Sequence, residues 1–266
     1  MSYEALLAEK PDRNRDNVAR TASYLELYAL ARANGAELPW LLMAHLVSRH
    51  AGYLMTDVAA QIGAGSFFKR EALEELFSFL ERANFLIFDD AWHHVLCHLM
   101  RAPKGERTAR FMRDAWHRYE TEPSSAASER RLLLDLVMNE QSYIERRVAH
   151  NARFARPLAM VGFFEAIGRE ARVALPLTDA RIKVGGFARL ERRVETGRRI
   201  FDEVLADASR REAIFAWALA HPHTGSRTVI DSRVQSLTLR DEWPVERVRD
   251  LWSEIHAPPE PDAEWF

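Results

Sequence analysis

The chain has 266 residues, 47% hydrophobic and 29% charged, which excludes a mainly disordered protein and allows a substantial buried core. A formal net charge of −2 excludes a global electrostatic attraction to nucleic acid or to an anionic membrane. The single cysteine, Cys97, excludes an intramolecular disulfide framework and a zinc site built from thiolates.

The amino-terminal residues 1–16 show no basic region followed by an apolar one, so they lack the pattern of a signal peptide. We predict that they form an amino-terminal arm. The apolar run 38–47 is too short to span a bilayer and is interrupted by His45. We therefore expect a cytoplasmic protein with no membrane segment.

Helical signals dominate the first half of the chain. Asn17 can cap a helix that ends at Gly35, a glycine suited to stop it. Pro39 suits the first turn of the next helix, which we predict to break near Gly52. Apolar residues at helical spacing predict further helices over residues 55–63, 67–83 and 85–100.

The second half is also mostly helical, with long helices predicted over residues 130–151, 158–174, 187–207 and 209–220. A short strand is expected only within residues 175–186. The same residues form the candidate boundary between the amino-terminal bundle and a smaller carboxy-terminal part. We predict a mainly α fold, a multi-helix bundle with a smaller helical carboxy-terminal part and irregular loops. The predicted parts are a bundle core at 17–175, a part packed on it as one domain at 176–256, and a flexible tail at 257–266.

The helix predicted over residues 85–100 places a carboxylate on its apolar side. At 100° per residue, an apolar stripe runs from Phe85 to Leu99 and contains Asp89, with His93 at its border. A carboxylate in such a stripe loses hydration unless a cation or several hydrogen-bond donors meet it. Polar residues on the core faces of other helices could supply such partners.

The same helix carries a second polar row, Asp90, His94 and His98, on the opposite side. His94 and His98 are one turn apart and could share a metal ion. Asp90 and His98, however, are about 12 Å apart along the helix axis, and the sequence supplies no third ligand. A solvated, histidine-rich helix face is therefore the preferred interpretation, and these two histidines are only weak metal candidates.

Two other helices also direct polar residues inward. His45 and Arg49 are four residues apart on a helix that is apolar nearly all round, and Arg49 could take a carboxylate in a bidentate pair. Glu140 occupies a core position of its helix, with Tyr143 beside it. Together with Asp89, these residues predict a polar group inside the bundle.

Two interpretations of this polar group remain open. It is either a network that fixes helix packing, which we favour because such networks are common, or a pocket for a small ligand or metal. In a pocket, His45 or Glu140 would transfer protons and Arg49 would bind the anion of the ligand. The candidate catalytic set is then His45, Arg49, Asp89 and Glu140, with Tyr143 as a ligand-binding residue.

The loop at residues 220–231 is a second candidate site. It contains His223, Ser226 and Arg227 around a glycine, and such a loop can hold an anion with its backbone N–H groups. It is not a phosphate-binding P-loop, because the lysine and the spacing are absent. A plain turn with capping hydroxyls is the preferred interpretation.

Several segments, quoted in chain order, resemble the YppC-like bacterial family, a domain of unknown function: "VARTASYLELY", "LPWLLMAHLVSRHAGYLMTD", "FSFLERANFLIFDDAW", "RFMRDAWHRY", "NEQSYIERRV" and "PHTGSR". The resemblance spans most of the chain and implies a bacterial intracellular protein. It implies no activity, cofactor or catalytic residue. The family pattern does not extend to His93, His94 and His98, which further weakens a metal role for them.

Three functions follow from these observations. The preferred one is an α-helical binding or interaction module for an unknown small ligand or protein partner, with no cofactor named by the sequence. The alternative is an enzyme of unknown class that uses His45, Arg49, Asp89 and Glu140 for acid–base chemistry on a small anionic ligand. A nucleic-acid-associated protein is the least supported, because the basic run at 189–199 is interrupted by glutamates at helical pairing distance.

Overall fold

The computed structural model describes residues 2–9, 17–63, 88, 91–103, 110–144, 152, 191, 194–195, 198–199 and 201–224. These residues are mostly helical and include no strand, which confirms the prediction of a mainly α fold. The predicted short strand at 175–186 and the tail at 257–266 lie outside them. The division of the chain near residue 176 stays a prediction.

The amino-terminal part forms three helices: α1 at Tyr3–Ala8, α2 at Asn17–Ala33 and α3 at Pro39–Gly63. α1 lies within the predicted amino-terminal arm, where no helix was expected, and it begins where the Ser2 hydroxyl accepts a hydrogen bond from the backbone of Ala5. α3 begins at Pro39, as predicted, but the predicted break near Gly52 is wrong. α2 and α3 form an antiparallel hairpin and pack along each other.

The turn between α2 and α3 is built around Gly35, which has a φ of 77°. The amide of Ala36 donates to the carbonyl of Ala31, and the amide of Gly35 donates to that of Arg32. This is the Schellman arrangement, in which a left-handed residue after the helix lets the last carbonyls be satisfied. The predicted end of α2 at Gly35 is therefore confirmed.

The next helices are α4 at residues 91–100, α5 at Arg110–Thr121 and α6 at Ala126–Ile144. A π-helical turn at Phe201–Leu205 leads into α7 at Ala208–Ala220, whose amino terminus is capped by the Asp207 carboxylate. α5 packs on α6, α6 packs on α3, and α7 packs on α2 and on the π-helical turn. None of the helices among the described residues is long and apolar enough to cross a membrane.

An aromatic core joins these helices. The Tyr24 ring of α2 lies 5.3 Å from the Trp92 ring and 5.4 Å from the Phe88 ring, and its hydroxyl donates to the Phe88 carbonyl. The Trp40 ring of α3 contacts both Tyr24 and Trp116 of α5 in edge-to-face geometry. Such pairs are stabilising beyond the area that they bury, so this core fixes how α2, α3, α4 and α5 pack.

Candidate functional site

The polar side of α3 is buried. His45, Ser48 and Arg49 are each 2% exposed or less, as are most of the apolar residues in the first half of the helix. These side chains face the amino-terminal part of α2 and the segment after α7. A polar group buried in this way requires a hydrogen-bonding partner, and most of the partners come from those two segments.

Asn17 connects α3 to both of its neighbours. Its Nδ2 donates to the carbonyl of Ser48 at 2.7 Å, and its Oδ1 accepts a hydrogen bond from His223 Nε2 at 2.7 Å. One turn later on α2, the Thr21 hydroxyl lies 2.7 Å from the Ser48 hydroxyl. Asn17 does stand at the start of α2, but its side chain bonds to other segments, so the prediction of a helix cap is wrong. We name Asn17, Thr21, His45, Ser48, Arg49 and His223 the polar cluster.

His45 has one bonded and one unbonded ring nitrogen. Nδ1 donates to the backbone carbonyl of Thr21 at 2.9 Å, so Nε2 carries a lone pair. Nε2 is buried and has no hydrogen-bond partner within the described part of the chain. Burial lowers the pKa of His45 to about 4, and the charge of Arg49 acts in the same direction, while the bond to Thr21 opposes it. The ring is therefore neutral at pH 7.

Arg49 connects the polar cluster to the end of α7. Its Nη2 donates to the backbone carbonyl of His221 at 2.7 Å, and its guanidinium lies 4.4 Å from the centre of the Trp217 ring. The ring of His221 stacks on the same indole. A cation over an aromatic face is attracted by the ring quadrupole, so Trp217 helps to hold this buried charge.

A second buried cation, Arg20 of α2, lies near the polar cluster and over the ring of Phe88 at 5.3 Å. Burial lowers the pKa of His223 well below its usual value, and the charges of Arg49 and Arg20 add to this effect. Burial, together with the charge of Arg49, therefore keeps both histidines in the neutral form.

Gly52 lies inside α3, where a break was predicted, and its surroundings explain why this residue is a glycine. A Cβ atom at this position would lie 2.6 Å from His223 Nε2 and closer still to Asn17 Oδ1. Glycine is thus required for the close approach of the Asn17–His223 pair to α3, and not for a change in backbone direction.

The structure brings together only part of the predicted site. His45 and Arg49 lie together, and His223 of the second candidate loop joins them. Asp89, Ser226 and Arg227 lie outside the described residues. Glu140 and Tyr143 belong to the last turns of α6, where side chains are not among those described.

Thr21, Ser48 and Arg20 were not predicted as site residues, and Asn17 was predicted only as a helix cap. A signal for two of them was present: Asn17 and Thr21 are four residues apart, on the side of α2 that also carries the buried Tyr24 and Tyr28. Polar residues at helical spacing within an apolar face indicate partners in another element.

The predicted solvated face of α4 is wrong for His94. His94 is fully buried, and its ring stacks on that of Trp116 with an interplanar angle of 8°. α5 covers this side of α4, which a single helix pattern does not reveal. His98 is partly exposed, and its Nδ1 lies 3.0 Å from Glu120 Oε1.

The described part of the chain contains no group of three histidine, cysteine, aspartate or glutamate side chains arranged to hold a metal ion. Near His94, the sulfur of Cys97 lies 3.5 Å from Nε2 of His93, one helical turn away. Three of the buried ionisable side chains in the described structure, His45, Arg49 and His223, lie together in the polar cluster.

Comparison with known proteins identifies a family. The model of a family described as "Protein of unknown function (DUF2515)" matches residues 12–266. The chain is also similar to "Uncharacterized protein YppC" of Bacillus subtilis (strain 168), with 27% identity over 277 aligned positions that cover 96% of this chain and 80% of that protein. No solved structure matches the chain. The resemblance to the YppC-like family is thereby confirmed, and the chain belongs to the DUF2515 family.

Proposed function

We propose that this protein is an α-helical binding protein that holds a small hydroxy acid, or a ligand of similar chemistry, at the polar cluster. The observation that carries the proposal is the buried Nε2 of His45, an acceptor with no hydrogen-bond partner among the described residues. Leaving such a group unsatisfied costs about 1–3 kcal/mol, so a donor supplied by a ligand would stabilise the fold.

The charges around His45 define the ligand. A hydroxyl, an amide N–H or an ammonium group of a ligand could donate to Nε2, and a hydroxyl is the smallest of these. Among the described residues, the charged side chains that act on this group are Arg49 and Arg20, which disfavour an ammonium group and favour an anion. A hydroxyl for His45 together with a carboxylate for Arg49 describes a hydroxy acid.

Binding is better supported than acid–base catalysis. A general base works best when its pKa is close to the working pH, and the pKa of His45, about 4, is too low for this at neutral pH. The pKa of His223 is lowered in the same way. The enzyme alternative therefore depends on Asp89 and Glu140, whose roles stay predictions, as does the cytoplasmic location.

The test measures the binding of glycolate, the smallest hydroxy acid, by calorimetry. Acetate lacks the hydroxyl and glycerol lacks the charge, so both should bind at least roughly tenfold more weakly, a difference of about 1.4 kcal/mol. His45→Asn keeps a donor for the Thr21 carbonyl but is too short to place an acceptor at the position of Nε2, and it should abolish the preference for glycolate over acetate. Arg49→Gln should abolish the binding of both acids.

Arg118→Gln is the matched control, because Arg118 is an exposed arginine on α5 that pairs with Asp135. It should bind glycolate as the unchanged protein does. ¹⁵N NMR of the imidazole groups provides a direct reading, since a ligand hydroxyl would shift the His45 Nε2 resonance. The proposal fails if glycolate does not bind, or if His45→Asn keeps the preference for glycolate.

A further inference from the structure

A groove of about 920 Å³ lies at the other end of α2 from the polar cluster. Its walls are Tyr3 of α1, the turn 34–36 after α2, residues 98–99 and 101–103 at the end of α4, and one face of α5. At 1.5 Å per residue, this turn is about 20 Å from the polar cluster along α2. The groove is thus a separate feature of the molecule.

The lining of the groove is rich in cationic and imidazole groups. It includes Arg101, Arg113, His98, His117 and Glu120. Glu120 is the one carboxylate among the described lining residues, and it already accepts a hydrogen bond from His98 at 3.0 Å. In the described part of the lining, two guanidinium groups stand against one carboxylate, and this excess of positive charge favours an anion.

Arg101 has a backbone conformation that its side chain disfavours. Its φ is 54°, the only positive φ of a residue other than glycine within the described ranges. The amide of Ala102 donates to the carbonyl of Cys97 and the amide of Arg101 to that of His98, as in the Schellman arrangement at Gly35. A residue with a Cβ costs roughly 1 kcal/mol or more in this conformation.

The carboxy-terminal ends of α2 and α4 can be compared directly. α2 and α4 end in the same way, and both ends line the same groove. Glycine is the residue type that this geometry prefers, and α2 has it at Gly35, whereas α4 has Arg101 at the same place. Glycine would adopt this turn with less strain than arginine. The turn therefore does not explain why residue 101 is an arginine, whereas the position of the Arg101 side chain in the groove wall does explain it.

We propose that the groove binds the phosphate group of a small phosphorylated metabolite, with Arg101 and Arg113 as its anion ligands. The planar guanidinium group donates two parallel hydrogen bonds to a phosphate, which an ammonium group does not. The volume is within the usual range for small-molecule sites, so the ligand has a body beyond its phosphate. The carbonyl ends of α2 and α4 repel an anion, so the arginines are essential.

The test measures the binding of ribose 5-phosphate, ribose and inorganic phosphate by calorimetry. We expect saturable binding of ribose 5-phosphate, weaker binding of inorganic phosphate and none of ribose. Arg101→Gly and Arg113→Ala should each weaken the binding of ribose 5-phosphate by at least about tenfold. Arg118→Ala removes a charge from the same helix as Arg113, outside the groove, and should change the affinity by less than about twofold.

Arg101→Gly separates binding from folding. Since glycine relieves the strain at φ 54°, the melting temperature of this variant should be unchanged or raised. A melting temperature several degrees lower would show that Arg101 serves the fold, and would overturn the proposal. The proposal is also overturned if neither phosphate compound binds at about 10 mM, or if Arg101→Gly binds as tightly as the unchanged protein. His45→Asn should leave this binding intact, which separates this test from that of the polar cluster.

Discussion

Asn17 and His223 are joined by a 2.7 Å hydrogen bond although 206 residues separate them in the chain. The bond passes directly over Gly52 of α3, so three distant segments meet at one point. The start of α2, the middle of α3 and the segment after α7 are therefore held together by polar contacts as well as by the aromatic core. The stability of the fold should depend on this point of contact.

Gly52→Ala should destabilise the protein by roughly 2 kcal/mol, because the added methyl group would overlap with Asn17 and His223. In an ordinary helix interior the same change is stabilising by about 1 kcal/mol, so the expected sign is reversed here. Urea unfolding monitored by circular dichroism measures the difference. A gain in stability would contradict the close approach at this position.

Two further variants show the cause of the effect. Gly35→Ala introduces a methyl group into open space but at a φ of 77°, and should cost about 1 kcal/mol through backbone strain alone. Asn17→Ala makes space next to Gly52, so the double variant Asn17→Ala with Gly52→Ala should be less destabilised than the sum of the single variants.

Gly35, Pro39 and Gly52 show which parts of the fold were predictable. The end of α2 and the start of α3 depend on local backbone chemistry, and the sequence predicted both correctly. Gly52 was wrongly predicted to break α3 because its reason for being glycine lies in residues 17 and 223. A local pattern does not contain such a tertiary contact.

The polar groups show the same limit. The inward direction of His45 and Arg49 could be inferred because their helix is apolar on its other sides, and the structure buries both. His94 was placed on a solvated face because the sequence does not state that Trp116 of α5 covers it. Helical phase gives the direction of a side chain on its own helix, but not the element that it meets.

Arg211 holds α7 against the turn between α2 and α3. Its Nε donates to Glu37 at 2.8 Å, and another of its nitrogens donates to the Leu205 carbonyl. Arg211→Gln should therefore cost roughly 1–3 kcal/mol, because the Arg211 side chain is only 16% exposed. Arg131→Gln breaks a more exposed pair with Glu122 and should cost less than about 0.5 kcal/mol. Equal losses in urea unfolding would show that the two pairs do not differ.

Glu129 is a carboxylate that the fold prefers in its neutral form. Burial raises its pKa, although the hydrogen bond from Tyr119 at 2.6 Å opposes this effect. Since the folded pKa lies above the unfolded one, ionisation weakens the fold as the pH rises above about 4.5. Glu129→Gln should thus raise the melting temperature by about 2 °C at pH 7 and by less at pH 4.

Tyr119→Phe is the control for this prediction. It removes the hydrogen bond to Glu129 but leaves the carboxylate in place, so it should lower the melting temperature at pH 7. A lower melting temperature of Glu129→Gln at pH 7 would show instead that the attraction of the ionised Glu129 to Arg211 outweighs its burial.

His45 should make the fold sensitive to mild acid. Its pKa is about 4 in the folded protein against 6.5 as the reference value, so the unfolded chain binds a proton more readily. Stability is therefore complete above about pH 6.5 and falls as the pH decreases towards 4. Between pH 8 and pH 5 the loss from this residue is roughly 2 kcal/mol, and His223, whose pKa is lowered too, adds to it.

His45→Asn isolates the contribution of this residue, because asparagine does not titrate and keeps a donor for the Thr21 carbonyl. Urea unfolding at pH 8 and pH 5 should show a loss for the unchanged protein that is roughly 2 kcal/mol larger than the loss for the variant. Buried carboxylates and His223 titrate in both proteins and cancel in this difference. Parallel pH profiles would mean that the His45 ring gains a proton in the folded state as easily as in the unfolded one, and a buried neutral imidazole beside Arg49 would then be excluded.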